Sequence, residues 1–347
     1  MVFLSHAGTQ RISGGVGYQF QAYGEAAVDV FFVVSGFLIA HGAGGRGLRD
    51  FAAARLARVY SVVLPCLALG WLLDWAGAAL SPALYRAAPG FAGPADIGQL
   101  LSSLAFLDHL WFRAAQPGSN LPYWSLCLEA WFYLGFAALI FAPRPWNWAA
   151  AALVMGLAGP KTALLFPLWL MGGALRRLCA RLPGSTPANA DSARWAPAGW
   201  ALLVLPFVLM AMWNPVGRGC FPYSPLRWDV GCLWDLRFDY GVGILVAAQL
   251  LGVHLLAPTL WPALRRVAPL ITWLAGASFT LYLLHYPLLH LLAAASRRAP
   301  DSWAPGNWAH LALVFLVPPL TALLVAELTE RRRLAWRRVV LALLPRR

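Results

Sequence analysis

The chain is a succession of long apolar runs separated by short polar or Pro/Gly-rich joints. A helix that spans a bilayer needs about 17–25 residues. Hydrophobic residues make up 60% of the 347 residues and charged residues only 12%, whereas soluble domains carry about 25% charged residues. The sequence therefore predicts an all-α, polytopic membrane helix bundle. The runs lie at 26–42, 59–80, 124–142, 147–159, 162–177, 198–213, 240–256, 268–293 and 308–329.

We expect about ten spans, the first of them incomplete, because only five residues precede His6 in the apolar stretch MVFLSHAG. The short runs 147–159 and 162–177 suggest a tilted or hairpin pair. No cleavable signal peptide is expected, because the start lacks a basic region and a small-residue cleavage site. The predicted domains are a membrane domain over residues 1–330 and a basic cytoplasmic tail over 331–347.

The net charge of +13 follows the pattern of membrane topology. If the joint at 42–58 is cytoplasmic and sides alternate, eighteen of the 27 Lys and Arg residues lie inside, as the positive-inside rule requires. This places the C-terminus in the cytoplasm and predicts contact with membrane lipid, not with nucleic acid. The nine external basic residues are Arg11, Arg86, Arg113, Lys161, Arg218, Arg227, Arg237, Arg297 and Arg298.

The five cysteines give no metal-binding pattern. No cysteines and histidines have zinc-ligand spacing, so no metal site is expected. Cys220 and Cys232 lie in the predicted external segment 214–238. A disulfide between them and two free thiols are both open interpretations.

Three ionisable residues interrupt the apolar stretches: His6, Glu129 and His285. An ionisable group at the bilayer centre costs about 2.5–3.5 kcal/mol on insertion scales, so such residues usually face a functional interior. A lone histidine is more often a satisfied core residue, and a buried glutamate often pairs with a cation. Counting from residue 268, however, places His285 in the outer half, at a depth similar to His6 and Glu129. The agreement in depth favours a shared site.

Two further patterns accompany them. Asp29, Ser35 and Gly36 interrupt the apolar helix AVDVFFVVSGFLIA (27–40); the small residues indicate a close helix packing seam, but a carboxylate near the boundary needs a partner. Arg55 and Arg58 share a helix face at the inner mouth of a span. The simpler interpretation is that these arginines extend to the cytoplasmic membrane surface and orient the span. The functional interpretation is that they bind a phosphate group.

Four motifs together resemble membrane acyltransferase family 3, the family of O-antigen and nodulation-factor O-acetylases. The similarity extends from His6 to about Pro287 and keeps the order of the family's motifs. Each motif alone is weak evidence, but four at compatible spacings are specific. The motifs are FFVVSGFLIA (31–40), RLARVY (55–60), WSLCLEAWFYL (124–134) and SFTLYLLHYP (278–287).

The resemblance implies a ten-span enzyme of the bacterial inner membrane. It would transfer an acyl group, usually acetyl, from cytoplasmic acyl-CoA to a hydroxyl of an extracytoplasmic glycan or lipid-linked saccharide. His6 matches the family's first-helix histidine and would act as general base, with an acyl-histidine intermediate as the alternative. Glu129 or Asp29 would orient it, and Ser35 with backbone donors would stabilise the oxyanion. His285 is the further expected catalytic residue, and Arg55 and Arg58 would hold the phosphates of acetyl-CoA.

One departure from the family concerns the start of the chain. In relatives a basic residue lies about a dozen residues before this histidine, and here the chain begins too late to include it. We interpret this as an initiator Met placed within the first span; the alternative is a shortened, inactive member. A transporter or flippase for lipid-linked sugars is the other functional class, which the lack of a clear inverted repeat disfavours.

Overall fold

The structure is a computed structural model that describes residues 1–45, 47–182, 192–212, 232–297, 304 and 306–345. At 192–193 and 232–235 only the backbone is described. The disulfide considered between Cys220 and Cys232 lies outside the described side chains.

The prediction of an all-α membrane bundle is confirmed: no strand occurs in the described ranges. Short 3-10 helices span Tyr18–Tyr23 and Glu330–Arg332. The α-helices of the described chain, in order, are α1 (Val2–Ala7), α2 (Gln10–Ser13), α3 (Gly24–Ala43), α4 (Leu48–Leu80), α5 (Pro82–Arg86), α6 (Ile97–Leu104), α7 (Tyr123–Phe141), α8 (Asn147–Ala158), α9 (Pro160–Cys179), α10 (Ser192–Met212), α11 (Cys232–Ala275), α12 (Ser278–Ser296), α13 (Trp308–Leu328) and α14 (Arg333–Leu343).

Several helical segments are long and apolar enough to cross a membrane, which confirms a multi-pass protein. The number of ten spans stays a prediction. Within the described residues the qualifying segments are Tyr18–Ala43, Leu48–Leu80, Tyr123–Phe141, Arg194–Met212, Leu236–Ala275, Ser278–Ser296 and Trp308–Leu343.

The chain divides into two compact units. The first comprises residues 1–24, 46–162 and 273–347, and the second comprises residues 25–45 and 163–272. The predicted boundary between a membrane domain ending at 330 and a tail from 331 is a different division, and it stays a prediction.

In the first unit, α12 packs between α4 and α13 and runs in the same direction as α4. At one end, Arg337 of α14 pairs with Asp50 near the start of α4, and Glu330 contacts the start of α12. We call this end, which also holds Arg55 and Arg58, the arginine end. The opposite end, where α4 passes into α5 and α12 finishes, is called the tyrosine end after Tyr85.

The predicted span at 268–293 is wrong at its start. Residues 268–275 complete α11, and a separate helix, α12, begins at Ser278. The carboxylate of Glu330 accepts hydrogen bonds from the amides of Phe279 and Thr280 at 3.2 Å each, so it satisfies amides that the first turn of a helix leaves without partners. His285 is therefore two turns into a new helix, and its predicted depth, which was counted from residue 268, is corrected accordingly.

The loop between α6 and α7 is held by a buried carboxylate. Asp108 accepts hydrogen bonds from Ser102 Oγ at 2.6 Å, Ser103 Oγ at 2.5 Å and Gln99 Nε2 at 3.0 Å. Tyr123, the first residue of α7, donates its hydroxyl to the Ser103 carbonyl at 2.8 Å. This network fixes the start of the helix that carries Glu129.

In the second unit, α3 and α9 approach closely at glycines. A Cβ atom at Gly36 would lie 1.9 Å from the Trp169 carbonyl oxygen, and one at Gly172 would lie 1.9 Å from that of Val33. Only glycine permits this backbone contact, so the predicted packing seam around Ser35 and Gly36 is confirmed.

Candidate active site

The structure brings together His6 and His285, which lie 279 residues apart in the sequence. His6 Nδ1 is 2.9 Å from His285 Nε2. The two rings stack, with centroids 5.2 Å apart and an interplanar angle of 10°. His285 is fully buried in α12, whereas His6, on the short helix α1, is partly exposed. The pair lies within the first unit.

The hydrogen bonds of His285 determine which nitrogens carry protons. His285 Nδ1 lies 3.0 Å from the Leu281 carbonyl oxygen, which can only accept, so Nδ1 carries the proton. The neutral imidazole then has a lone pair on Nε2, and His6 Nδ1 must donate to it. His6 in its neutral form is left with an unprotonated Nε2. That lone pair is the feature that a general base or a nucleophile requires.

Pro287 leaves the carbonyl of Leu283 without its helical hydrogen bond, and a side chain supplies the missing donor. A proline at 287 has no amide to donate to the carbonyl of Leu283, four residues earlier. Asn120 Nδ2 donates to this oxygen instead, at 2.9 Å. Sequence reasoning missed Asn120; the proline indicates which carbonyl lacks its helical donor, but not the residue that replaces it. Asn120 thereby ties the α6–α7 loop to the helix of His285.

A second contact joins α7 to α12. Ser125 Oγ lies 2.6 Å from the Tyr282 hydroxyl, which also donates to the Pro122 carbonyl at 2.9 Å. The rings of Tyr282 and His285 have centroids 6.1 Å apart. Two motifs, at 124–134 and 278–287, therefore meet through the hydroxyl groups of Ser125 and Tyr282.

Glu129 lies one helical turn beyond Ser125, where it is buried and accepts a hydrogen bond from Tyr133 Oη at 2.6 Å. The guanidinium carbon of Arg55 lies 5.9 Å from the ring of Tyr133 and 5.8 Å from the ring of Phe51. These are cation–π distances. Tyr133 thus connects the Glu129 carboxylate to the arginine end.

Two of the predicted site residues, Ser35 and Asp29, belong to the second unit. Ser35 Oγ accepts a hydrogen bond from Trp169 Nε1 at 3.2 Å, and Asp29 is buried on the same helix, α3. Sequence analysis assigned the orientation of His6 to Glu129 or Asp29; in the structure the partner at Nδ1 is His285. The roles of Asp29 and Ser35 stay predictions. Among the described residues, no three His, Cys, Asp or Glu side chains are grouped so that they could hold a metal ion.

A protein-family model described as an acyltransferase domain matches residues 1–327. The chain belongs to acyltransferase family 3. The resemblance inferred from the four motifs is therefore confirmed. Three of those motifs meet in the first unit, around His285, Ser125, Tyr133 and Arg55.

One curated protein is similar to part of the chain. The exopolysaccharide production protein ExoZ of Rhizobium meliloti (strain 1021) is 33% identical over 130 residues. The match covers 36% of this chain and 37% of ExoZ, so little more than a third of the relative's length is compared. No solved structure matches the chain.

Proposed function

We propose that the protein is an integral-membrane O-acyltransferase. It transfers an acyl group, which we take to be acetyl, from cytoplasmic acyl-CoA to a hydroxyl of an extracytoplasmic glycan or lipid-linked saccharide. The location is the bacterial inner membrane, with the C-terminus in the cytoplasm. Membership of acyltransferase family 3 supports the reaction class.

The observation that carries the proposal is the contact between His6 and His285. The hydrogen bond from His285 to its own helix leaves His6 with an unprotonated Nε2. When His6 takes up a proton, its Nδ1–H remains bonded to the lone pair of His285, so the imidazolium keeps its orientation. His285 then acts as a neutral orienting group, in the place that a carboxylate takes in a Ser-His-Asp triad.

The transfer follows from this arrangement. His6 Nε2 accepts the proton of the acceptor hydroxyl while the hydroxyl oxygen attacks the thioester carbon. The tetrahedral intermediate collapses with cleavage of the carbon–sulfur bond, and the thiolate of CoA recovers the proton from His6. The products are the acyl ester and free CoA, and His6 returns to its starting state.

The arginine end is suited to the donor. Arg55 and Arg58 are half-buried and lie one turn apart on α4, where guanidinium groups can bind phosphates in bidentate fashion. A Cβ at Gly70 would lie 3.6 Å from Pro287 Cγ. His285, two residues before Pro287 on α12, therefore lies at about the same height along the helix bundle as Gly70 of α4. Twelve residues separate Arg58 from Gly70, or about 18 Å along a helix. The proposal therefore requires the pantetheine arm to extend along α4 to reach the histidines.

The choice of acceptor rests on the similarity to ExoZ, whose name assigns it to exopolysaccharide production. A saccharide acceptor also agrees with a base that removes a hydroxyl proton. We therefore propose a polysaccharide or its lipid-linked precursor as the acceptor class.

The test uses the cell that carries the gene. Deleting the gene should remove an O-acyl ester from the surface glycans, detected by mass spectrometry. The glycolipid fraction extracted from the deletion strain then contains the unmodified acceptor. Purified protein in nanodiscs should transfer label from [14C]acetyl-CoA to this fraction without any ion gradient. Unchanged glycans in the deletion strain, together with no labelled product, would overturn the proposal.

A further inference from the structure

Two fully buried side chains near the histidine pair have polar atoms without hydrogen-bond partners. His290 and Tyr85 are both 0% exposed. Neither ring nitrogen of His290 has a partner, and neither does the Tyr85 hydroxyl. Buried polar groups in proteins are almost always hydrogen-bonded, so these three atoms in neighbouring side chains offer hydrogen bonds that no other protein group in the described ranges takes up.

These side chains form a continuous aromatic row with His6. The ring of Tyr85 is 5.7 Å from that of His290, and Tyr286 lies 4.6 Å from His290 and 4.6 Å from His6, between ring centroids. A single ring, that of Tyr286, therefore separates His290 from the proposed base. Gly77 makes room for the row, because a Cβ there would lie 2.1 Å from the Tyr85 hydroxyl.

The row lies at the tyrosine end, opposite Arg55 and Arg58. Tyr85 belongs to α5, which follows the last residue of α4, whereas Arg55 and Arg58 lie near the start of α4. His290 lies five residues beyond His285, or about 7.5 Å further along α12. A ligand bound here would approach His6 from the side away from the proposed donor site.

The chemistry of the row fits an uncharged hydroxyl group. A neutral imidazole offers one N–H donor and one acceptor, and a phenol hydroxyl also donates and accepts. Burial, and secondarily the Asp74 carboxylate, raises the pKa of Tyr85, so its hydroxyl keeps its proton. The Asp74 oxygens are themselves bonded to Ser119, through its amide at 2.8 Å and its hydroxyl at 2.5 Å. A thioester or a phosphate can only accept hydrogen bonds, whereas a sugar hydroxyl matches both functions.

We propose that His290 and Tyr85 bind a hydroxyl group of the saccharide acceptor and thereby hold a neighbouring hydroxyl against His6. This inference rests on the proposed acyl transfer and extends it by naming residues that contact the acceptor. The two side chains would help to determine which hydroxyl is acylated.

Stability measurements separate a ligand site from a structural one. Tyr85→Phe and His290→Phe remove polar atoms that have no partner, so the Tm of the ligand-free protein should stay the same or rise. Tyr240→Phe is the matched control, because the Tyr240 hydroxyl donates to the Leu164 carbonyl at 2.7 Å and its removal should lower the Tm. A fall in Tm for both site variants would show that the atoms have structural partners, and would overturn the proposal.

Kinetic measurements test the contact itself, with [14C]acetyl-CoA as donor and the glycolipid fraction of the deletion strain as acceptor. Each site variant should raise the acceptor KM about tenfold, the effect of about one lost hydrogen bond, and leave the KM for acetyl-CoA within about twofold. Tyr240→Phe should change neither constant. An unchanged acceptor KM in both site variants would overturn the proposal while wild-type transfer still supports the enzyme. Absence of transfer by the wild type would instead overturn the proposed function.

Discussion

His285 shows how one side chain fixes the protonation pattern of another. Its Nδ1–H is bonded to the carbonyl of Leu281 in its own helix, and this bond determines the donor and acceptor in the contact with His6. The sequence predicted that both histidines are functional from their placement in apolar stretches. It did not predict the order of the hydrogen bonds, because that order depends on a tertiary contact across 279 residues.

His285→Ala should lower kcat by about 10²–10³-fold, since His6 loses the acceptor that orients its ring. His285→Gln should retain more activity, because its amide oxygen can accept from His6 Nδ1. Steady-state transfer assays at matched abundance compare the two variants. Equal losses in both would show that the acceptor atom at 285 does not matter.

Substitution of Arg55 or Arg58 should change only the binding of the acyl donor. Replacement of either by Ala should raise the KM for acetyl-CoA about 10- to 100-fold, as expected for a lost charged hydrogen bond, and leave the acceptor KM unchanged. Arg49→Ala is the control. Arg49 also lies near the start of α4, but it donates a hydrogen bond to the Leu341 carbonyl of α14, so its loss should not change the KM for acetyl-CoA. A rise in acceptor KM would contradict the assignment of this end to acyl-CoA.

At the scale of elements, the apolar runs predicted most helices closely, as in 124–142 for α7 and 308–329 for α13. The prediction was wrong where a tertiary cap begins a helix: hydropathy does not show that Glu330 will accept the first amides of α12. It was also incomplete at Asn120, whose role depends on Pro287 removing a helical hydrogen bond.

Asn120 and Pro287 should be energetically coupled. Asn120→Ala leaves the buried Leu283 carbonyl without a donor and should destabilise the protein by about 1–3 kcal/mol. Pro287→Ala restores an amide that can reach this carbonyl, so the same Asn120 substitution should cost less in that background. Thermal unfolding in detergent of the two single variants and the double variant gives the coupling. If the losses of stability in the two single variants add up to the loss in the double variant, the Asn120 side chain does not replace the missing amide of residue 287.

The crossing of α3 and α9 should not tolerate a methyl group. Gly172→Ala places a Cβ 1.9 Å from the Val33 carbonyl oxygen, so we expect a clear fall in Tm. Gly156→Ala in α8 is the matched control, because no atom outside its own stretch of helix lies within 4 Å of its Cβ position, and alanine favours the helix by up to about 1 kcal/mol. A tolerated Gly172→Ala would show that the two helices can separate without loss of stability.

The loop before α7 should be sensitive to acid. Burial, followed by the charge of Lys161, lowers the pKa of His109 to about 3, whereas a histidine in an unfolded chain has a pKa of about 6.5. Between these values the unfolded chain binds the extra proton, so the contribution of His109 to stability is complete above about pH 6.5 and declines as the pH falls. The Tm should therefore fall less steeply with acidification in His109→Gln than in the wild type. Parallel curves would contradict this assignment.

At the scale of the whole molecule, the first unit has chemically different ends. Arg55 and Arg58 lie at one end, the buried hydrogen-bonding groups of Tyr85 and His290 lie toward the other, and the histidine pair lies between them. The order of the four motifs along the chain predicted the family, which is confirmed. It could not predict the row of Tyr85, Tyr286 and His290, because Tyr85 and His290 belong to no motif and Tyr85 meets the other two only when α5 packs against α12.

In the proposed mechanism, His6, held by His285, moves the proton during acyl transfer. The test is single-turnover transfer of labelled acetyl from acetyl-CoA to the extracted glycolipid. It compares purified wild type with His6→Ala at equal amounts of folded protein. We expect labelled ester from the wild type and none above background from His6→Ala. A His6→Ala rate within tenfold of the wild type would contradict it.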